Sequence, residues 1–404
     1  MARKKRLLMI LGAGSSVACG MPSVAEINTL MASWAREFAE TWQFTNFYDR
    51  VWRALERHLA SGFQSARQSP NFERALGDLL ALMHWVRPSP EGSALATLFE
   101  QTQPPPNLSF INSDRYGPYI EVKTMIAHLA ARLACEMRKR CIAMPTDLRA
   151  LEQWRAMLRA LRGRFDVAIY NLNYDTVALS GWPDAFTGFD IDGRFDPAAV
   201  YRRDWEGIFH LHGSVHFSLA NSLGDHIVWR NDLKGAFLDS NDRFADYGSD
   251  GKDFLPTTLI AGGFKLDQLL TEPFQAYRAA LTRDIALADA IMIGGYGFGD
   301  THVNRALCCA LALSRARPPV LVLDWAGPQT EPMDVRQDAW ARELRQALFA
   351  SSPFVGAGTS VIEMPAVLAE QGRCEVSSAH RVAIWYGGFG DAAPLIDRLT
   401  HWLH

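Results

Sequence analysis

The sequence predicts an α/β protein built on a doubly wound parallel sheet and carrying a large helical insertion. Three observations lead there. Five short apolar runs, at 6–11, 166–170, 208–211, 290–294 and 320–324, have the near-continuous apolar character of strands covered on both faces. A helical stripe of Leu270, Phe274, Tyr277, Leu281 and Ile285 leads directly into the fourth run, an α-to-β step typical of such sheets. Between the first and second runs the text is helical, with Val122, Ile126, Leu129, Leu133 and Met137 on one face and Leu151, Trp154, Leu158 and Leu161 on another.

Taken in order, the first run opens the sheet and the helical insertion follows, broken by Pro-rich loops at 87–93 and 103–119. The stretch 221–256 is polar and rich in Asp and Gly, as expected of a surface excursion between strands. A last strand is expected at 381–386 and a terminal helix at 394–403. These elements group into a discontinuous sheet domain (1–27 with 164–330), a helical insertion (28–163) and a C-terminal extension (331–404).

Composition narrows the function classes. The 404 residues are 48% hydrophobic and 21% charged, with a net charge of −3, which argues against a surface coated with nucleic acid or lying on a membrane. The basic start at residues 1–6 imitates a secretory leader, but only five apolar residues follow before Gly12, against roughly seven to fifteen in such leaders. Six cysteines without a C-x-x-C pair fit buried free thiols in a reducing cytoplasm.

Four clusters could carry chemistry, each expected at the carboxyl end of a strand, where open α/β sheets bind ligands. Gly12-Ala13-Gly14-Ser15-Ser16 lets the backbone turn tightly and approach a ligand, and a following helix start could hold a pyrophosphate; as plain architecture it is a β-to-α turn. The run from Tyr170 through Asn171, Leu172, Asn173 and Tyr174 to Asp175 projects amides and a carboxylate, or closes the strand with an Asx turn. His210-Leu211-His212-Gly213-Ser214 supplies a candidate base. Gly294-Gly295-Tyr296-Gly297-Phe298-Gly299-Asp300, with His302 and Asn304, forms a second glycine loop. The full dinucleotide fingerprint is absent because Val17 stands at its third glycine, which disfavours a dehydrogenase.

Together, in this order and spacing, the four clusters resemble the sirtuin-like family, in particular its branch of bacterial NAD-hydrolysing antiphage defence proteins. The resemblance covers about residues 5–27 and 164–325 and implies a Rossmann-like core. It implies that Gly12, Ala13, Gly14, Ser15 and Ser16 cradle the phosphates of NAD, that Asn173 and Asp175 stand beside the nicotinamide ribose, and that His212 is the catalytic histidine, with Asn173 as its catalytic partner. Gly295 and Tyr296 resemble a loop facing the adenosine half, and Asp324 matches by position the residue that holds the adenosine ribose.

The chain departs from deacetylating sirtuins. Ser23, Val24 and Ala25 follow Pro22 in place of Asp-Phe-Arg, Leu172 and Tyr174 flank Asn173 in place of Gln-Asn-Ile-Asp, and 214–290 holds no cysteine where they carry a four-cysteine zinc module. Gly297 stands where the hydrolase branch has Ser. No structural zinc and no metal ligands are therefore expected, and NAD enters as substrate. The implied activity is NAD+ hydrolysis to ADP-ribose and nicotinamide, gated by homo-oligomerisation or a separately encoded partner, a HerA-type hexameric ATPase before a short Argonaute. A silent NAD- or ADP-ribose-binding module is the alternative, with protein deacylation third. Neither a membrane contact nor a direct nucleic-acid site is expected. Gly356–Ser360 and Gly387–Asp391 echo the glycine motifs but are expected to be a loop, after a poor strand at 352–355, and a turn. Cys308 and Cys309 are expected to be buried packing.

Overall fold

The computed structural model describes residues 3–61, 70–86, 117–220, 226–240, 246–247, 253–254, 257–260, 269–314, 317–325, 333, 335–336, 338–350, 353–356, 374–377 and 379–404. The expected loop at 87–93 and nearly all of that at 103–119 lie outside these residues. The chain forms two compact units. One comprises Met1–Met21, Arg140–Ser214 and Glu272–His404; the other comprises Pro22–Lys139 and Val215–Thr271.

The first unit is built on an eight-stranded sheet. In chain order its strands are β1 (Lys5–Leu11), β2 (Phe165–Asn171), β3 (Gly207–His210), β8 (Ala290–Gly294), β9 (Val320–Leu323), β10 (Phe354–Gly356), β11 (Cys374–Ser377) and β12 (Val382–Trp385), numbered to leave β4–β7 for the other unit. Their spatial order is β10-β11-β12-β9-β8-β1-β2-β3. From β12 to β3 every pairing is parallel, whereas β10–β11 and β11–β12 are antiparallel. The fold is therefore α/β with a mainly parallel, doubly wound sheet, as expected. Leu7, Leu8, Met9 and Ile10 are fully buried, which is why β1 reads as an unbroken apolar run.

Register places the ends of six strands in one row. Leu11 pairs with Asn171 and with Gly294, Asn171 with His210, Gly294 with Leu323, and Leu323 with Trp385. From β1 the chain winds outward through β2 and β3; from β8 it winds the other way through β9 and β12. The β1–β8 junction is thus the point where strand order reverses, the crevice in which such sheets take ligands.

The helix Arg149–Arg164 runs directly into β2 and buries Leu151, Trp154, Met157, Leu158 and Leu161. The helices Phe274–Leu287 and Thr301–Leu313 flank β8 in sequence. Leu270, which the periodicity assigned to the first of these, lies outside it and is exposed: Pro273, with no N–H to donate, stands at the N-cap and the helix starts after it. The strand judged poor near 352–355 exists as β10. A three-residue edge strand has too little pattern to be read alone, and pairing with β11 makes it. The expected terminal helix is instead a series of short 3-10 and α turns from Ala393 to Leu403.

The second unit holds the helices Val24–Trp42, Phe47–Ala60, Phe72–Trp85 and most of Gly117–Ala143. Ser23 caps the first, its hydroxyl accepting from the Glu26 amide at 3.2 Å, and Ile27, Met31, Trp34, Ala35 and Phe38 form its buried stripe. The antiparallel pair β4 (Phe217–Leu219) and β5 (Ile227–Trp229) and the short pair β6 (Asp246–Tyr247) and β7 (Asp253–Phe254) complete it. Strands thus occupy part of the stretch read as a polar excursion. Arg138 makes a buried two-pronged ion pair with Asp239 and lies 4.1 Å from the Phe237 ring, so both charges are matched.

Candidate functional site

The candidate residues stand one to four positions beyond the aligned strand ends. Gly12 follows β1, Asn173 and Asp175 follow β2, His212 follows β3, Gly295 follows β8 and Asp324 follows β9. All belong to the first unit.

The two glycine loops touch backbone to backbone. Gly12 N–H donates to the Gly294 carbonyl and Gly14 N–H to the Gly295 carbonyl, each at 2.9 Å. A Cβ on Gly12 would lie 2.6 Å from the Gly295 oxygen, and one on Gly14 would lie 2.9 Å from the Gly295 Cα. The glycines are thus explained by loop-on-loop packing. No α-helix follows Gly12 within the loop; two 3-10 turns, Ala13–Ser15 and Val17–Cys19, take its place. Ser15 N–H and Ser16 N–H donate back to Gly12 and Ala13, so these amides serve the turn. Ala13 and Gly14 are exposed at the loop's outer edge.

Asn173 fastens this loop to the end of β2. Its buried side-chain amide donates to the Gly12 carbonyl at 2.9 Å, Ser16 Oγ at 3.0 Å and Ser15 Oγ at 3.1 Å. The Ser16 hydroxyl donates in turn to Asp175. Asp175 is 2% exposed and caps the turn Val177–Ser180 by accepting from Val177 N–H at 2.9 Å. Burial pushes its carboxyl above the ordinary range, against the lowering effect of those hydrogen bonds. Asn171 makes a second Asx turn, accepting from the Asn173 amide at 3.2 Å. The turn architecture expected of this run and its polar cluster are one and the same object.

His210 and His212 are both buried, at 0% and 2% exposed. His212 lies beyond β3, and Gly213 at φ +105° turns the chain there, so strand periodicity no longer applies. His212 Nε2 lies 3.3 Å from His302 Nε2 and 3.6 Å from Asp300 Oδ1. In the sequence Asp300 closes the second glycine loop and His302 follows it. The local signal for them is the Asp300-x-His302 spacing at the start of the helix Thr301–Leu313.

Tyr296 turns inward. It is 4% exposed, its hydroxyl donates to Asn304 Oδ1 at 2.9 Å, and Asn304 Nδ2 donates to the Phe298 carbonyl at 2.8 Å. It therefore braces the second glycine loop from within. Asp324 is half-buried at the end of β9 and its carboxyl is raised by burial. Residues 387–391, expected as a remote turn, reach this row: a Cβ on Gly294 would meet the Phe389 ring at 2.5 Å, and Gly388 N–H donates to the Asp324 carbonyl at 2.8 Å. Phe389 was missed because its partners are joined only by the sheet. At the other echo, Gly356 ends β10 and 357–360 lie outside the described residues.

Cysteine placement departs from expectation in part. Cys19, Cys141 and Cys374 are buried, while Cys135 and Cys309 are exposed and Cys308 is half-buried. The helix Thr301–Leu313 turns Val303, Leu307 and Leu311 inward, leaving Cys309 on the outer face. Among the described residues no helix is long and apolar enough to cross a membrane.

No family model matches the sequence. No curated protein matches it either. Solved structures of similar course include a mutant Sir2 homologue in complex with 2′-O-acetyl ADP-ribose, at 13% identity over 85% of this chain and 94% of that one, with a TM-score of 0.34. A Sir2 homologue–NAD complex matches at 13% identity over 85% and 91%, again with a TM-score of 0.34. A structure addressing sirtuin substrate affinity matches at 10% identity over 85% and 93%, with a TM-score of 0.34. The α/β assignment rests on the sheet order itself.

Proposed function

We propose that the chain cleaves NAD+ to ADP-ribose and nicotinamide, with water as the nucleophile. The observation that carries this reading is the meeting of the Gly12 and Gly295 loops at the β1–β8 junction, with Asn173 pinning the first loop and His212 one strand further on. The motif resemblance of these segments to sirtuin-like NAD hydrolases supports the same substrate.

In this reading the exposed edge at Ala13 and Gly14, the Gly295 loop and Asp324 hold the dinucleotide. Nicotinamide leaves when its bond to ribose C1′ breaks, and the bonding pair neutralises the pyridinium ring. The ribose is left with oxocarbenium character, which the buried carboxylate of Asp175 stabilises through a water-poor environment. A water oxygen then bonds to C1′ and its proton passes to His212, whose ring is backed by His302 and the Asp300 carboxylate. Asn173 acts by positioning the loop, since its amide is committed to Gly12, Ser15 and Ser16.

The biological setting follows from the same resemblance: depletion of NAD in antiphage defence, in the cytoplasm. Control would come from self-association or a HerA-type hexameric ATPase, because free NAD cleavage is toxic. The test is nicotinamide release from NAD+ by the full chain, alone and with candidate partners. Wild-type protein is expected to release nicotinamide, His212→Ala to lose at least about a hundredfold, the scale of a general base, and Asn173→Ala to lose activity while the Gly12 loop gains hydrogen exchange. Equal rates for wild type and His212→Ala would overturn the assignment. Binding of NAD+ without cleavage under every condition would favour a silent binding module.

A further inference from the structure

The His212, Asp300 and His302 side chains come from two separate loops and meet at one point, with their ligand-capable atoms all within 4.8 Å of one another. The 3.3 Å separation of the two Nε2 atoms fits a hydrogen bond between the imidazoles, and the 3.6 Å approach of Asp300 fits a pairing of its carboxylate with His212. A tetrahedral ion with bonds of about 2.0–2.2 Å accounts for both, because such bonds set neighbouring ligand atoms about 3.3–3.6 Å apart.

Asp300 provides a second, independent observation. It stands at the N-cap of the helix Thr301–Leu313, where an aspartate ordinarily accepts a helix amide, yet its side chain makes no cap hydrogen bond. The carboxylate stands within reach of His212 instead. His302 also borders a cavity of about 460 Å³ whose wall includes Arg278, Thr282, Arg305 and Cys309.

We propose that His212, Asp300 and His302 form a three-ligand site for a divalent transition ion of the zinc class, with the fourth position open to a small anion or water. Two imidazoles and one carboxylate match that ion's preferences, and three protein ligands are the number that leaves a position free. The site stands or falls apart from NAD cleavage. Where both hold, an ion and a proton compete for the same Nε2 of His212.

The test is titration of the full chain with Co2+, followed by displacement with Zn2+ and metal analysis after dialysis. One Co2+ per chain is expected, with the visible absorption of a tetrahedral site that Zn2+ abolishes. His302→Gln and Asp300→Asn should each weaken binding by more than about tenfold, as loss of a direct ligand requires. His401→Ala, at an exposed histidine, should bind as wild type does. Asp300→Asn preserves size, so it serves as the readout if His302→Gln lowers the melting temperature. Unchanged affinity in both variants, or no saturable binding by wild type, overturns the proposal. Neither result bears on nicotinamide release, which is read without added metal.

Discussion

Gly14 donates its amide to the carbonyl of Gly295 at 2.9 Å, and with the Gly12-to-Gly294 bond it joins the turn after β1 to the turn after β8. The contact leaves no room for side chains. A Cβ on Gly295 would lie 2.2 Å from the Ser15 nitrogen and 2.5 Å from the Gly14 carbonyl carbon, and Gly295 sits at φ +60°. Gly295→Ala is therefore expected to destabilise the chain by about 1–3 kcal/mol from backbone strain, with more from the clash. Denaturant unfolding measures it. A variant as stable as wild type would show that the two loops do not pack this closely.

Asp175 makes stability depend on pH. Its carboxyl is held above the ordinary value of 3.8 chiefly by burial, so the folded chain keeps that proton more tightly than the unfolded chain does. The stabilisation from this protonation is whole below 3.8 and is lost as pH rises through the raised value. Asp175→Asn retains an acceptor for Val177 N–H and removes the ionisation. It is expected to gain on wild type in urea unfolding at pH 7, and to lose that advantage as pH falls to about 4. A difference between the two proteins that is the same at both pH values would contradict this account.

Thiol chemistry should divide the cysteines by burial. Burial, helped by the Asp175 charge, pushes the Cys19 thiol to about 11 and that of Cys141 to about 12. Burial and then the Glu375 charge raise Cys374 to about 12. These three remain protonated and shielded at pH 8, whereas Cys135 and Cys309 are exposed. Iodoacetamide with peptide mass analysis is expected to label Cys135 and Cys309 in the native chain and to reach Cys19, Cys141 and Cys374 only after denaturation. Fast native labelling of Cys19 would mean that the Gly12 loop opens.

The parallel strands were legible because burial on both faces removes the polar alternation, as in Leu7–Leu11. The strand ends were legible because glycines, amides and histidines gather where a ligand crevice demands tight turns. Less was legible wherever the decisive contact is long-range. Nothing local marks β10, which exists through β11, or Phe389, which packs against Gly294 across the sheet. In the sequence Asp300 closes a glycine loop, and only the folded chain turns its carboxylate to a histidine 88 positions earlier. Asn173 was read as a ligand contact; its three acceptors within the Gly12 loop assign it first to holding that loop.

The placement of β1 has a consequence for how the chain is born. This strand is the sheet's interior, yet Lys5 pairs with Phe165 and Leu7 with Ala290. At translation rates of about 5–20 residues per second, a strand apolar from Leu7 to Leu11 waits on the order of ten seconds to half a minute for its first neighbour and longer for its second. Throughout that time it is an open template for stray pairing, and the basic residues Arg3–Arg6 at its leading end are its nearest protection. The second glycine loop cannot close on the first until Gly295 has been made, so a stalled or clipped nascent chain carries no assembled crevice.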